Sequence, residues 1–449
     1  MTSSRRRYSF IFGIACAVTL ATTAAAATTV SSHRSHDAIR RAGALTALHG
    51  TVPGINTLNL PRVPWAGGSA YYRKFSAPRN FGWTSPKFFP IGIWWDVASN
   101  STEIKYDKSL GINTYVITNP AMSYKLFDKN HVSYIGTRLN GQPRNDPAWV
   151  GDFLGDEIDG TSSSPAQGEA KLQAAVNALP DHHKIRYANF TGMVVSWLRG
   201  NPTWAAAAKK YVNDYTDVVS MDAYWFSTKQ CLSRNPEGGG FMIPWKPNQC
   251  RTPQNYGRNV AQMIRQDATD HKRQPVWGFI EDAEGQPGIS PMTPAEQKAA
   301  VISMLINGAS GIIWFNNTFG GACPTSGGVV RTVEYDPSYP CARNIKAMGQ
   351  INRLIGSLAP VLNSQSYRWT FGPGLETMLK TYNHSAYIFA MPTDDGAKPL
   401  GTRSFKLPAQ LRGRTITVLG ENRKIIPLAN GTFTDKFSAL TTYHIYKIS

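Results

Sequence analysis

Between residues 88 and 315 the chain repeats one pattern: a short, nearly continuous apolar run, a polar or helix-forming stretch, then another run. The runs are Phe88–Asp96 (FFPIGIWWD), Ile112–Thr118, Val132–Gly136, Trp149–Asp156 (WVGDFLGD), Ile185–Phe190, Val218–Trp225, Val276–Ile280 and Gly311–Phe315 (GIIWF). Strands buried on both faces look like this, because a parallel sheet covered by helices has no solvent side. Helical stretches fall between several of them. Ala166–Leu179 has apolar residues at helical spacing and stops at Pro180, Trp204–Asn213 is alanine-rich, and Asn255–Asp270 follows. Thr293–Asn307 opens with an N-cap threonine, then proline at the first helical position. Eight strands alternating with helices predict a (β/α)8 TIM barrel over residues 85–357. An open doubly wound sheet is the alternative, but its G-x-G-x-x-G turn after the first strand is missing.

The rhythm changes near residue 358. Thr377–Thr381, Ala386–Met391, Ser404–Leu407, Thr415–Leu419, Lys424–Pro427 and Tyr443–Ile448 are short strand-like runs separated by Gly, Pro, Asn and Asp. They predict a small antiparallel β-sandwich over 358–449. At the other end, Arg5, Arg6 and Arg7 precede an apolar stretch that ends in alanines, the pattern of a secretory signal peptide over 1–27. Ser4-Arg5-Arg6-Arg7-Tyr8 loosely fits the twin-arginine type. The expectation is a secreted, extracellular protein with no stable membrane insertion once the signal is removed. Residues 28–84 read as a loosely packed leader or linker.

Cys16 leaves with the signal, so Cys231, Cys250, Cys323 and Cys341 remain. An even count in an exported chain favours disulfides, and three pairings are open. Local pairing, 231–250 and 323–341, closes two short loops. Neither spacing nor His182 and His183 suits a metal, and no cofactor is expected. Once the signal and its three arginines are removed, the remaining excess of cations is scattered without a Lys/Arg block, a solvated surface rather than a nucleic-acid-binding one. With 42% hydrophobic and 17% charged residues the chain is not disordered.

In a β/α barrel functional residues gather at the C-terminal ends of the strands. Strand one ends in Trp94-Trp95-Asp96 and strand four in Asp156-Glu157. Asn189 closes strand five, Asp222-Ala223-Tyr224-Trp225 strand six, Glu281-Asp282-Ala283-Glu284 strand seven, and Trp314-Phe315-Asn316 strand eight. Acids, amides and aromatic rings on one rim suit a sugar. Two carboxyls across such a rim can cleave a glycosidic bond, one as acid and one as nucleophile or base. Glu157 and Glu281 occupy opposite sides; Asp282 and Glu284 compete with Glu281, which directly follows the apolar run. Trp94, Trp95 and Trp225 either line the cleft or pack in the core.

This layout resembles the clan A glycoside hydrolases, retaining β/α-barrel enzymes with catalytic glutamates after strands four and seven. The resemblance rests on Trp149–Gly160 (WVGDFLGDEIDG), Val276–Glu281 (VWGFIE) and Thr293–Asn316, and spans residues 85–358. It implies Glu157 as acid/base and Glu281 as nucleophile, with Tyr224 touching the nucleophile and Trp314 flooring the sugar site. Trp94, Asp96, Asp156, Asn189, Asp222, Trp225 and Asn316 would complete the substrate site. One position departs from the pattern: Asp156 stands where many members have asparagine, and an ionised Asp accepts hydrogen bonds but donates none. The expected activity is hydrolysis of a β-linked poly- or oligosaccharide by double displacement. Alternatives are a transglycosylase using the same glutamates and a non-catalytic carbohydrate-binding barrel.

Overall fold

The structure is a computed structural model, and it describes residues 55–179, 183–196, 202–227, 251–282, 285–321, 323, 328–394 and 400–449. The signal segment, the leader before residue 55, and Cys231 and Cys250 lie outside these residues.

Eight strands close into a barrel in sequence order: β1 (Ile91–Trp94), β2 (Thr114–Val116), β3 (Ser133–Ile135), β4 (Trp149–Asp156), β5 (Ile185–Thr191), β6 (Val218–Asp222), β7 (Val276–Glu281) and β8 (Ile312–Phe315). All neighbours are parallel, and β8 closes on β1 with Ile91 beside Ile312. Period-two alternation separates two cores. Val116, Ile135, Val150, Ile185, Tyr187, Val218, Trp277, Phe279 and Ile313 fill the barrel interior. Ile93, Tyr115, Tyr134, Phe190, Met221, Ile280 and Trp314 belong to the outer core beneath the helices. Several strands are shorter than their apolar runs, since residues such as Phe88 and Ile112 pack in loops flanking the ladder.

The helices that matter here are α1 (Ser101–Ser109), α2 (Tyr124–Asn130), α3 (Pro165–Asn177), α4 (Pro202–Asn213), α5 (Gln254–Asp267), α6 (Pro294–Ile306), α7 (Val329–Tyr335) and α8 (Ala342–Leu362). Thr293 and Glu296 form a reciprocal capping box at the start of α6, and Asn100 caps α1 through Thr102 and Glu103. Among the described residues no helix is long and apolar enough to cross a membrane.

Two predicted boundaries move. The barrel does not end at 357, because α8 is one helix that continues through Pro360 to Leu362. The segment before residue 85 is not a loose linker over its described part. Trp83 is fully buried at the interior core with Tyr72 and Phe75. It stacks on Phe88 at 4.8 Å, and its Nε1 donates to Ser133 Oγ at 3.2 Å. The Trp277 indole donates to Tyr72 Oη at 3.3 Å, so this segment packs onto the barrel's interior side chains. Earlier still, Ile55 and Leu58 join the core of the C-terminal domain.

That domain has a six-stranded antiparallel sheet in the order β14 (Arg423–Ile425), β13 (Ile416–Val418), β16, β11 (Ser385–Pro392), β10 (Leu375–Tyr382) and β9 (Ser366–Tyr367), and a two-stranded sheet of β12 and β15. Phe405 of β12 (Gly401–Lys406) stacks on Phe433 of β15 (Thr432–Phe437) at 4.6 Å, and both meet Tyr446 of β16 (His444–Ile448). This contact makes the two sheets a sandwich. The opposite face of the large sheet, through Met378, Phe389 and Met391, belongs to the barrel's outer core. Strand β15 had no separate sequence signal beyond the Asn430-Gly431 turn before it.

Candidate active site

Backbone strain marks the C-terminal rim of the barrel. Trp95, Ile117 and Glu157, each just past a barrel strand, have φ of 58°, 54° and 50°. A left-handed backbone is unfavourable for a residue with a Cβ, above all a β-branched one, and persists where surrounding contacts enforce it. At Glu157 they are visible. Its N–H donates to Asn189 O at 2.9 Å, and its carbonyl accepts from Gly160 and Thr161 at 2.9 and 2.8 Å. Two residues earlier, Gly155 leaves room for the Ile158 side chain, whose Cδ1 a Cβ there would approach to 2.3 Å. Asp159, fully buried, accepts from Thr191 N and Oγ1 and from Val194 N at 2.8–2.9 Å, clamping the β4 turn to β5. Burial raises this carboxyl to about 7 despite those three donors.

Four strand-end residues form one chain of contacts. Asn189 on β5 donates to Asp156 Oδ1 at 3.0 Å. The amide is oriented by Ser220 Oγ, which donates to Asn189 Oδ1 at 2.6 Å and stands 2.5 Å from Tyr187 Oη. Asp156 is exposed at the rim, yet the protein packed around its carboxyl raises it to about 6; Asn189 opposes this rise and the charge of Glu157 adds to it. Asp222 at the end of β6 stands within hydrogen-bonding reach of the Glu157 carboxyl. Burial first, then the charges of Glu157 and Asp156, hold Asp222 well above the usual carboxylate range. Tyr224 Oη donates to Asp222 Oδ2 at 3.3 Å.

Glu281 ends β7 with no exposed surface. Tyr256 Oη, from the first turn of α5, lies 2.7 Å from both carboxylate oxygens, and Ser227 Oγ donates to Oε1 at 3.0 Å. Burial raises the Glu281 carboxyl, while Tyr256 and Ser227 favour its ionised form. The Tyr224 phenol is pushed far up by burial and by the charges of Asp222, Asp156, Glu281 and Glu157. Tyr224 thus stands among the strand-four, strand-six and strand-seven acids. Its ring packs on Phe279, Phe315 and Phe319 at 6.1, 5.1 and 5.0 Å, an aromatic wall beside the carboxyls.

Several predicted site residues are elsewhere. Trp314 is fully buried with its indole turned outward, donating to Asn352 of α8 at 2.9 Å. Ile313 and Phe315 are the inward residues of β8, so Phe315 takes the place expected of Trp314. Trp225 is buried in the outer core beside Asn259 of α5. Trp94 lies inside the barrel against Phe153 and Phe279, whereas Trp95 is 47% exposed. Asp96 and Asn316 are tied into a buried network rather than open to the mouth. Asn316 donates to Asp96 Oδ1 at 3.0 Å, and Arg331 of α7 reaches Asp96 at 3.1 Å and Asp107 at 2.7 Å. Tyr256, Ser227, Phe315 and Phe319 were not anticipated. Alternation along β8 carried the signal for Phe315; nothing local carried one for Tyr256.

Asp282 is fully buried, and neither of its oxygens has a hydrogen-bond partner among the described residues. Burial and the charge of Asp96 hold it well above the usual carboxylate range. Glu284 lies outside the described residues. Cys323 and Cys341 are bonded, with Cα atoms 6.0 Å apart. Among the described residues no group of three or more His, Cys, Asp or Glu is placed to hold a metal ion. A cavity of about 420 Å³ lies away from these acids, between the barrel and the C-terminal domain, with Trp65, Asp267 and Lys380 in its wall.

No family model and no curated protein matches the chain. Solved structures do resemble it. One is described as a glycoside hydrolase, with TM-score 0.48 and 11% identity over 80% of this chain and 92% of that one. Another is a family 5 glycoside hydrolase from Bacteroides vulgatus, with TM-score 0.48 and 10% identity over 80% and 89%. A third is a family 30 endoxylanase from Clostridium papyrosolvens, with TM-score 0.42 and 10% identity over 81% and 96%. The barrel itself is defined by this chain's own strand pairing. Its chemistry has to be argued from the side chains on its rim.

Proposed function

We propose that this protein is an exported retaining glycoside hydrolase acting on a β-linked poly- or oligosaccharide. The observation that supports this most is that Glu157, just past β4, and Glu281, at the end of β7, stand on the same rim of one closed parallel barrel. In this reading Glu157 protonates the departing glycosidic oxygen while Glu281 attacks the anomeric carbon. The C–O bond to the leaving group breaks as the bond to the Glu281 oxygen forms. Water then attacks the glycosyl ester, giving its proton to Glu157 and releasing Glu281 as carboxylate. Oε2 is the less committed nucleophile oxygen, since Ser227 bonds Oε1 alone. The preference for β-linkage comes from the resemblance to clan A. Export is supported by the basic and apolar leader and by the Cys323–Cys341 bond.

The test is hydrolysis of a panel of aryl glycosides and oligosaccharides by the wild type, Glu157→Gln and Glu281→Gln, with the anomer of the first product read by NMR. Turnover with retention, lost in both variants, supports the reading. Turnover that survives both substitutions, or none by the folded wild type on any glycoside, ends it.

A further inference from the structure

The cavity between the barrel and the C-terminal domain lies at the end of the barrel opposite the acids. Its wall includes Phe89 just before β1, Val276 at the start of β7 and Ser310 just before β8, so it sits under the N-terminal ends of the strands. Every residue of that wall is among the described ones. Its volume of about 420 Å³ is that of a small-molecule site, and such sites favour domain interfaces.

Lys380 is the residue in this wall that folding alone does not account for. Alternation along β10 puts it on the barrel side of the sheet with Met378, while Leu379 enters the sandwich core. It is only 4% exposed. Its ammonium donates to Ser364 O at 2.7 Å and stands 5.0 Å from the centre of the Trp65 ring. Burial lowers it from 10.5 to about 7, and no charge among the described residues offsets that effect. A buried ammonium without a counter-charge destabilises the fold, and an apolar side chain of similar length would not. An ammonium has three donors, so Nζ keeps capacity for a partner in the cavity that it lines.

Two more polar atoms of the wall are buried and without a hydrogen-bond partner among the described residues: Arg273 Nε, a donor, and Asp267 Oδ2, an acceptor. These side chains pair only loosely, at 3.9 Å, and Gln274 N engages the other Asp267 oxygen at 3.2 Å. Trp65 and Trp369 supply ring surface, since their indole N–H groups already bond Gln365 Oε1 at 3.0 Å and Lys406 O at 2.8 Å. Each feature selects a part of a ligand. An anionic oxygen supplies the charge that Lys380 lacks. A hydroxyl, which both donates and accepts, suits a free donor beside a free acceptor. The C–H face of a sugar ring suits the indoles. A bare inorganic anion meets only the first of these, and a neutral sugar only the last two.

We propose that this cavity binds a small sugar acid, a polyhydroxylated ring carrying one carboxylate, with Lys380 as the partner of the carboxylate. The site stands apart from the rim and does not depend on the hydrolase reading. Because its wall comes from both the barrel and the sandwich, the ligand ties the two together.

The experiment uses the full chain at about pH 6, where Lys380 is protonated. Calorimetric binding and Tm are measured with sodium glucuronate, with glucose, which lacks the carboxylate, and with sodium acetate, which lacks the ring. Glucuronate is expected to bind one to one and to raise Tm with its concentration. Glucose and acetate should bind at least about ten-fold more weakly. Lys380→Met removes the buried charge and should fold with a higher Tm in the absence of ligand. It should bind glucuronate about ten- to a hundred-fold more weakly, the effect of one charge-assisted hydrogen bond. Turnover of any aryl glycoside that the wild type cleaves should be unchanged in this variant. Glucose or acetate binding as tightly as glucuronate overturns the proposal, as does binding of none of the three. Wild-type affinity for glucuronate in a folded Lys380→Met overturns it too. Failure to cleave any glycoside bears on the hydrolase reading alone.

Discussion

Tyr256→Phe isolates one hydrogen bond on the buried glutamate. In the wild type the Tyr256 hydroxyl lies 2.7 Å from both Glu281 oxygens, and Ser227 reaches only one of them. Phenylalanine keeps the ring that stacks on Phe226 and removes the donor. A hydrogen bond to a charged group contributes about 1.5–3 kcal/mol, and here that contribution belongs to the ionised form alone. Since about 1.4 kcal/mol corresponds to one pH unit, the Glu281 carboxyl should rise by roughly one to two further units. A nucleophile must be ionised, so the acid limb of kcat/KM against pH should move upward by that amount. At alkaline pH the variant should approach wild-type turnover. The assay is a pH series on whichever chromogenic glycoside the wild type cleaves. Tyr256 also accepts from Trp225 N at 3.2 Å, so some loss of stability is expected as well. A structural effect alone would lower activity at every pH and leave the limb where it was; that result refutes the reasoning.

Three further outcomes follow from the packing. Arg331→Met leaves Asp96 and Asp107 buried without their cation, so stability should fall by about 3–5 kcal/mol at neutral pH. Because both carboxyls are already raised by burial, the loss should shrink in acid as they take up protons, which denaturant titrations at two pH values would show. Trp83→Ala should lower stability by about 3–5 kcal/mol, whereas a residue in a loose leader would change it by less than about 0.5. Lys380 is lowered from 10.5 to about 7 by burial, so the folded state loses stability as pH falls from the first value towards the second. Lys380→Met should therefore gain Tm relative to wild type across that window and hold a constant gain below it; a difference that does not vary with pH would contradict this.

Much of the architecture was legible because a parallel barrel writes itself as repeated apolar runs, and each of the eight predicted runs overlaps a barrel strand. The acids were legible for the same reason: strand ends fix their place. What failed was direction. Trp314 and Phe315 are adjacent, and a choice of one over the other reverses which face of β8 each occupies. Partners distant in sequence were also hidden. Asp96 read as a sugar ligand because Arg331, on a helix more than 200 residues later, could not be placed beside it. Helix α8 has Ile345, Met348, Ile351, Ile355 and Leu358 at helical spacing and buried, but it crosses the point where the composition changes. Tyr256 lies at the start of α5, and only closure of the barrel brings it to Glu281.

The division of roles between the two glutamates is the claim on which the mechanism stands, and azide rescue of Glu281→Ala tests it most directly. With no carboxylate to form the ester, turnover of an aryl glycoside should vanish. External azide should then enter from the vacated face and yield a glycosyl azide of inverted configuration. Glu157→Ala, measured in parallel, should still form its ester on a substrate with a good leaving group, and azide should give the retained product. Assistance by the acid is worth about 10²–10⁴-fold, so its loss should grow with leaving-group pKa only in the Glu157 variant. Retained azide product from Glu281→Ala, or near-normal hydrolysis by it without azide, would contradict the account.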